Sequence, residues 1–280
     1  MSGAELVSTD WLAARIGGDT LRIVDASWYL AAEKRDPASE YRERHIPGAV
    51  WFALDAASDQ ASPLPHMLPS AEVFASLMGE LGIGDGDQVV VYDGAGLFSA
   101  ARLWWMLRAF GHDKVAVVDG GLPKWLAEGR PVATGAPEIT RRDFRARLRP
   151  ELVRAFDDVH ANLSSHREQV LDARSPGRFK GLEPEPRPGV RPGHIPGSLN
   201  LHYASLLDPE DHTLLANAEL ASLFDGAGVD RAKPVICSCG SGITAAILAF
   251  ALGRLGAREV SVYDGSWSEW GARADAPIET

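Results

Sequence analysis

The sequence predicts an α/β chain made of two tandem copies of one domain, each a parallel sheet flanked by helices. Three observations predict it. First, four blocks recur in the same order: LRIVDAS (21–27) answers QVLDAR (169–174), RHIPGAVWF (44–52) answers GHIPGSLNL (193–201), VVVYDGAG (89–96) answers VICSCGSG (235–242), and VVDGGLPKWLAEG (117–129) answers VYDGSWSEWGARA (262–274). Second, the spacing between partners is nearly constant, 147 residues from Asp25 to Asp172, 149 from His45 to His194 and 145 from Trp125 to Trp270. That means one duplication rather than a solenoid of short repeats. Third, β-rich runs alternate with segments of helical spacing inside each copy, as a parallel sheet with helical crossovers requires.

Taken in order, the first copy opens on the β-run of LRIVDAS, bends at HIPG and resumes with a short strand in AVWF. SAEVFASLMGELG (70–82) and SAARLWWMLRAFG (99–111) place apolar residues at helical intervals, and each stops on a glycine. The second copy puts NAELASLFDGAG (217–228) and ITAAILAFALGRLG (243–256) in the same slots. Residues 1–130 therefore read as the first domain and 153–280 as the second. Between them, 131–152 is richer in Arg, Pro and Thr and reads as a linker, with one extended piece at FRARL.

The uncharged run PVICSCGSGITAAILAFALG (234–253) is long enough to cross a bilayer. Its glycine-rich centre would break a helix at mid-membrane, so it reads as a buried strand ending near Ser238, a tight loop, and a helix from about Gly242 to Leu255. A net charge of −10 and a pI near 5.3 disfavour nucleic acid or an anionic membrane surface as partners. The opening MSGAELVSTDWLAARIG shows neither a secretory nor a transit pattern, which points to the cytoplasm. Cys237 and Cys239 are the two cysteines present, too close in sequence to staple anything and too few to hold zinc. No metal or cofactor is expected, and a thiol used as a thiol is what remains.

In open parallel sheets, ligands bind beyond the carboxyl ends of the strands. Cys239 stands there, followed by Gly240 and Gly242 and by a helix start. Loop amides and the positive end of that helix favour a thiolate over a thiol. Cys237 lies within the strand and reads as a packed core thiol. The first copy has Asp93 where the second has Cys239, so one half carries the nucleophile and the other is scaffold. His45, His194, Asp25 and Asp172 occur with and without the nucleophile and read as structural.

The paired HIPG blocks, CGSGIT (239–244) and YDGSWSEW (263–270) resemble the rhodanese superfamily in its tandem-domain form, over essentially the whole chain. Gly240 and Ser241 follow the cysteine where thiosulfate sulfurtransferases carry Arg and Lys. The chain thus resembles the 3-mercaptopyruvate sulfurtransferase branch more closely. That resemblance implies sulfur transfer from 3-mercaptopyruvate through a Cys239 persulfide to a thiol, such as a thioredoxin-like reductant, or to cyanide, with pyruvate released. It implies Arg178 and Arg187 on the carboxylate and keto oxygen, the loop residues Gly240, Gly242, Ile243 and Thr244 around the substrate, and a Ser241, His66, Asp55 proton relay. Because His66 and Asp55 belong to the first copy, the site must form between domains. Arg174 and Arg191 are local competitors that read as pairing residues. Phe98 departs from the family, where a tyrosine is frequent. Thiosulfate as preferred donor and a noncatalytic persulfide carrier are the alternatives. A cysteine-loop phosphatase would need an Arg at the loop's end, and Thr244 and Ala245 stand there instead.

Overall fold

The computed structural model describes residues 4–280. The first half runs β1 (Glu5–Val7), α1 (Thr9–Ala13), β2 (Leu21–Asp25), α2 (Pro37–Glu43), β3 (Ala49–Trp51), α3 (Leu54–Ala57), α4 (Ala71–Glu80), β4 (Gln88–Tyr92), α5 (Ala100–Ala109), β5 (Val115–Val118) and α6 (Gly121–Ala127). The second runs β6 (Val153–Arg154), α7 (Phe156–Ser165), β7 (Gln169–Asp172), α8 (Pro176–Phe179), β8 (Leu199–Asn200), α9 (Asn217–Gly226), β9 (Val235–Ser238), α10 (Ala245–Arg254), β10 (Val260–Tyr263) and α11 (Ser266–Trp270). Each half builds a five-stranded sheet, in the orders β1-β5-β4-β2-β3 and β6-β10-β9-β7-β8. Every pairing in both is parallel. The two orders correspond strand for strand, so the internal repeat is a repeat of topology.

The central strands are buried on both faces and accordingly read as unbroken apolar runs. Along β4, Val89 and Val91 join the core between the halves, while Val90 and Tyr92 turn to the outer core with Trp125. In the second half Ile236 and Tyr263 face an outer core with Trp267 and Trp270. Helices α5 and α10 meet between the two sheets, where the Trp104 and Phe250 rings pack edge to face at 5.0 Å. Every residue of α5 is buried, as is α10 from Ala245 to Gly253. One apolar core thus spans both halves.

Some elements differ from the sequence reading. Helix α10 begins at Ala245 rather than near Gly242: Gly242 takes φ +79° and turns the chain, and the helix starts after Ile243 and Thr244. FRARL forms no strand. Its neighbourhood instead caps helix ends: Arg142 N–H donates to Gly79 O at 3.0 Å, Arg147 N–H to Phe110 O at 2.9 Å and Arg149 N–H to Ala109 O at 2.7 Å. These bonds satisfy carbonyls that α4 and α5 leave open. Edge strands β1 and β6, of three and two residues, are too short for any periodicity to announce them. Among the described residues no helix is long and apolar enough to cross a membrane.

Candidate active site

Cys239 follows the last residue of β9 in the middle of the second sheet. Helix α11 fixes the loop behind it: Trp267 N–H donates to Cys239 O at 2.9 Å, and Ser268 N–H to Gly240 O at 2.8 Å. With two successive carbonyls drawn toward α11, the peptide planes aim amides the other way. Gly242 N–H, one peptide further on, donates to Cys239 Sγ at 3.1 Å, whereas Cys239 N–H points back to α11 and donates to Ser266 Oγ at 3.2 Å. Among the described residues sulfur receives this one main-chain donor, where the sequence led us to expect several.

The first half displays the loop with an anion in place. There the Asp93 carboxylate accepts from the N–H groups of Ala95 at 2.9 Å, Phe98 at 2.7 Å, Ser99 at 2.9 Å and Ala100 at 2.8 Å. The same chain positions in the second half are Ser241, Thr244, Ala245 and Ala246. A loop of this shape is an anion cradle.

Although Cys239 is only 2% exposed, it lines a cleft of about 200 Å3. Trp28, Phe98 and Tyr203 form an aromatic wall, and Ile243 and Thr244 lie along the same cleft with Gly240 and Ser241. Phe98 stacks on Trp28 at 6.2 Å and meets Tyr203 edge on at 5.5 Å. A Cβ on Gly240 would lie 3.1 Å from Arg178 Nη2, so a larger residue there would displace the guanidinium. Cys237 is buried in the core, where burial and the nearby Cys239 push its thiol well up, which makes it a poor nucleophile.

His66 crosses from the first half. Its Nδ1 lies 3.0 Å from Ser241 Oγ, and its Nε2 lies 3.2 Å from Asp55 Oδ1. Trp28 Nε1–H also donates to Asp55 at 2.9 Å, and the Trp28 ring meets the His66 ring edge on at 4.8 Å. The hydrogen bond from His66 holds the Asp55 carboxyl below its usual range. Ser241, His66 and Asp55 therefore form one continuous line, and such a line can pass a proton between a hydroxyl and an imidazole whose orientation the carboxylate fixes.

Both expected arginines reach the cleft. Arg178 Nη2 donates to Glu185 Oε2 at 2.6 Å. Arg187 makes no hydrogen bond among the described residues and lies between the cleft and the Asp55, His66 strap. Burial lowers its pKa, while Cys239 and Asp55 act in the opposite direction. Arg174 is fully committed elsewhere, to Asp172 at 2.7 Å, to Glu185 at 2.8 Å and to the Trp267 face at 4.2 Å. Arg191 binds the carbonyls of Gly271, Arg273 and Ala276. His45 and His194 are turn residues that bond the carbonyls of Tyr41 and Phe179, both at 2.8 Å.

Sequence reasoning missed Glu185, which pairs with Arg178 and Arg174, and the buried pair Arg102 and Asp264 at 2.6 Å. A visible signal existed for Arg102, a charge inside the otherwise apolar SAARLWWML. No group of three or more His, Cys, Asp and Glu among the described residues could hold a metal ion.

Fold and site together define a tandem-domain α/β protein in which one domain carries Cys239 in an amide-bearing loop and the other completes the cleft beside it. The family model described as Rhodanese-like domain matches residues 8–128 and 155–273, and the chain belongs to the rhodanese family; it is a sulfurtransferase. It is 46% identical over 275 residues to a human protein named 3-mercaptopyruvate sulfurtransferase, covering 96% of this chain and 92% of that one. The Escherichia coli K12 protein of the same name is 46% identical over 280 residues, covering 100% and 99%. A chicken thiosulfate sulfurtransferase is 42% identical over 278 residues, covering 97% and 95%. The crystal structure of SseA from Escherichia coli, titled as a 3-mercaptopyruvate sulfotransferase, superposes with a TM-score of 0.87 at 42% identity, covering 94% of this chain and 99% of that one.

Proposed function

We propose that the protein moves sulfane sulfur from 3-mercaptopyruvate to a thiol by double displacement. The Cys239 thiolate attacks the substrate sulfur, and the C–S bond breaks. The electron pair leaves on carbon as pyruvate enolate, and Cys239 becomes a persulfide whose outer sulfur keeps the substrate thiol's proton. Ser241 delivers a proton to the enolate, His66 replaces it, and Asp55 balances the imidazole charge. An acceptor thiolate, on a thioredoxin-like protein or a small thiol, then takes the outer sulfur and returns Cys239 to its thiolate; cyanide would leave as thiocyanate. Arg178 and Arg187 hold the substrate's carboxylate and keto oxygen, and Gly240, Gly242, Ile243 and Thr244 shape the loop around the transferred sulfur. The reaction needs no metal or cofactor, since each step moves an electron pair between sulfur, carbon and an acceptor that is itself consumed.

One observation supports this reading above the others: a Ser241, His66, Asp55 line, two of its three residues from the other domain, converges on the cysteine loop at 3.0 and 3.2 Å. A simple sulfur carrier has no use for a proton relay. In the same reading residues 131–152 are the linker between domains 1–130 and 153–280, and the enzyme works in the cytoplasm. An Arabidopsis relative's name places that protein in mitochondria, so cell fractionation is the check on compartment. After a pulse of mercaptopyruvate, the peptide carrying Cys239 should gain about 32 Da, and Cys239→Ser should show neither the adduct nor turnover while keeping its fold. An unlabelled Cys239 in a fully active enzyme is the result that sinks the mechanism. Thiosulfate is the second donor to compare, since two Arabidopsis relatives are named for both substrates. The ratio of kcat/KM values decides, and we expect mercaptopyruvate to win because no Lys or Arg follows the cysteine.

A further inference from the structure

The two halves are related by a pseudo-twofold axis, and the axis supplies an internal control for the site. His66 has a counterpart 146 residues on, His212, and both take left-handed backbone, at φ 61° and 58°. Each sits on a strap that crosses to the opposite half. Behind His66, Leu68 N–H donates to Asp264 at 2.8 Å; behind His212, Leu214 N–H donates to Asp119 at 2.8 Å. Asp264 and Asp119 occupy matching places after β10 and β5. The straps, their histidines and the anchoring aspartates are thus present on both sides.

One residue breaks the symmetry. Arg102 on α5 is wholly buried, and the position 146 residues later on α10 is Leu248. The Arg102 guanidinium pairs with Asp264 at 2.6 Å and donates to two carbonyls, His66 O and, at 3.2 Å, Gly242 O. It ties the strap that carries the relay histidine to the loop that carries the nucleophile. On the side without a nucleophile, a Cβ on Gly96 would lie 2.4 Å from His212 Cβ; on the reactive side a Cβ on Gly242 would lie 2.8 Å from Arg102 Nη1. The histidine strap rests directly on the silent loop, and the guanidinium stands between strap and reactive loop.

We infer that Arg102, held by Asp264, is a positioning residue for sulfur transfer: its fork sets the His66 strap and the Gly242 turn in register, so that His66 meets Ser241 beside Cys239. Scaffolding alone gives no reason for the arginine to occur on one side of the pseudo-twofold. The planar fork reaches three acceptors in fixed directions, which an ammonium cannot do. Arg102 touches neither the cleft nor the expected substrate position, so it acts through the residues it aligns. The inference rests on the sulfurtransfer reading above for its kinetic test, though not for its spectroscopic one.

The test compares Arg102→Lys, Asp264→Asn and Asp119→Asn, the last being the same substitution at the pseudo-equivalent silent site. With mercaptopyruvate as donor and a small thiol as acceptor, Arg102→Lys and Asp264→Asn should lower kcat about tenfold to a hundredfold, with KM within about threefold, since misplacement of a proton donor by a fraction of an ångström acts on the chemical step. Asp119→Asn should leave kcat within about twofold. Thermal unfolding identifies any variant that has lost its fold, and if one does the other carries the test. In parallel, the 15N signals of the His66 ring should move in Arg102→Lys and Asp264→Asn and stay in place in Asp119→Asn. Wild-type kcat and an unmoved His66 signal in a folded Arg102→Lys overturn the inference, as does an Asp119→Asn variant that loses as much as Asp264→Asn. Should the wild type not turn over mercaptopyruvate, the donor reading has failed, and the His66 signals still decide whether Arg102 positions the strap.

Discussion

Arg187 and Asp25 show how differently two charged side chains can be placed by one fold. Arg187 lies at the cleft without a hydrogen-bond partner among the described residues, whereas Arg178 already spends its fork on Glu185. In the proposed mechanism the substrate carboxylate therefore finds one guanidinium ready and one shared. Arg187→Leu should raise KM for mercaptopyruvate about tenfold to a hundredfold, with a smaller effect on kcat, because the carboxylate is bound alike in ground and transition states. An unchanged KM would remove Arg187 from the site. Asp25, at the end of β2, is 1% exposed, and burial pushes its pKa up to about 6 despite hydrogen bonds from Ser27. Its second-half counterpart, Asp172, has Arg174 as a cationic partner; Asp25 has none of that kind among the described residues. A carboxyl whose pKa rises on folding binds its proton more tightly in the native state, so stability falls as the pH climbs from about 4 to about 6 and stays reduced above. Asn keeps the acceptor for Ser27 and drops the charge. Asp25→Asn should thus melt several degrees above the wild type near pH 8, reflecting at most about 3 kcal/mol, and show no advantage near pH 4. An equal gain at both pH values would mean the charge is not the cause.

At the scale of elements, the loop between β9 and α10 turns on a single backbone angle. Gly242 at φ +79° presents its N–H to Cys239 Sγ at 3.1 Å, and an added Cβ would meet Arg102 Nη1 at 2.8 Å and Asp264 O at 2.9 Å. Gly242→Ala should therefore cost about 1–3 kcal/mol from the left-handed backbone, with the clash in addition, and cut turnover at least tenfold. Melting curves and kcat check both; a stable, active variant would mean the loop does not depend on this turn. The strand, cysteine and helix order here was legible because each element writes its own period or composition, and the Asp93 and Cys239 correspondence followed from the repeat. His66, Ser241 and Asp55 were legible through family resemblance, since nothing local in SPLPHMLP says which distant loop it will touch. The start of α10 was misplaced because a positive φ at Gly242 leaves no mark beyond the glycine itself. Arg102 was missed for a related reason: a buried guanidinium is explained by acceptors at Asp264, His66 and Gly242, each far away in the chain. Periodicity reports which face of α5 is apolar and says nothing about what a charge on it will find.

At the scale of the whole molecule, the pseudo-twofold axis runs where α5 and α10 cross, and it makes the two halves mutually dependent. The C-terminal half owns Cys239 and both arginines proposed to hold the substrate, yet the histidine of the proposed relay arrives on a strap from the first half, and its longest apolar helix is covered by α5. Separated from residues 1–152, the 153–280 portion would expose the face of α10 that meets α5, Phe250 on it. An apolar patch of that kind drives aggregation. The portion alone should be poorly soluble and without turnover on mercaptopyruvate, and coexpression with the first half should restore both. The milder version of the same argument is Trp104→Ala, which removes the ring that meets Phe250 at 5.0 Å and opens a cavity worth about 3–5 kcal/mol. Because Trp104 sits two residues after Arg102 on the same helix, the loss should lower kcat as well as the melting temperature, whereas Phe74→Ala, in the core under α4, should lower the melting temperature alone. A soluble 153–280 portion with full turnover would show that the first half is a passenger, and would remove His66 and Asp55 from the reaction at the same stroke.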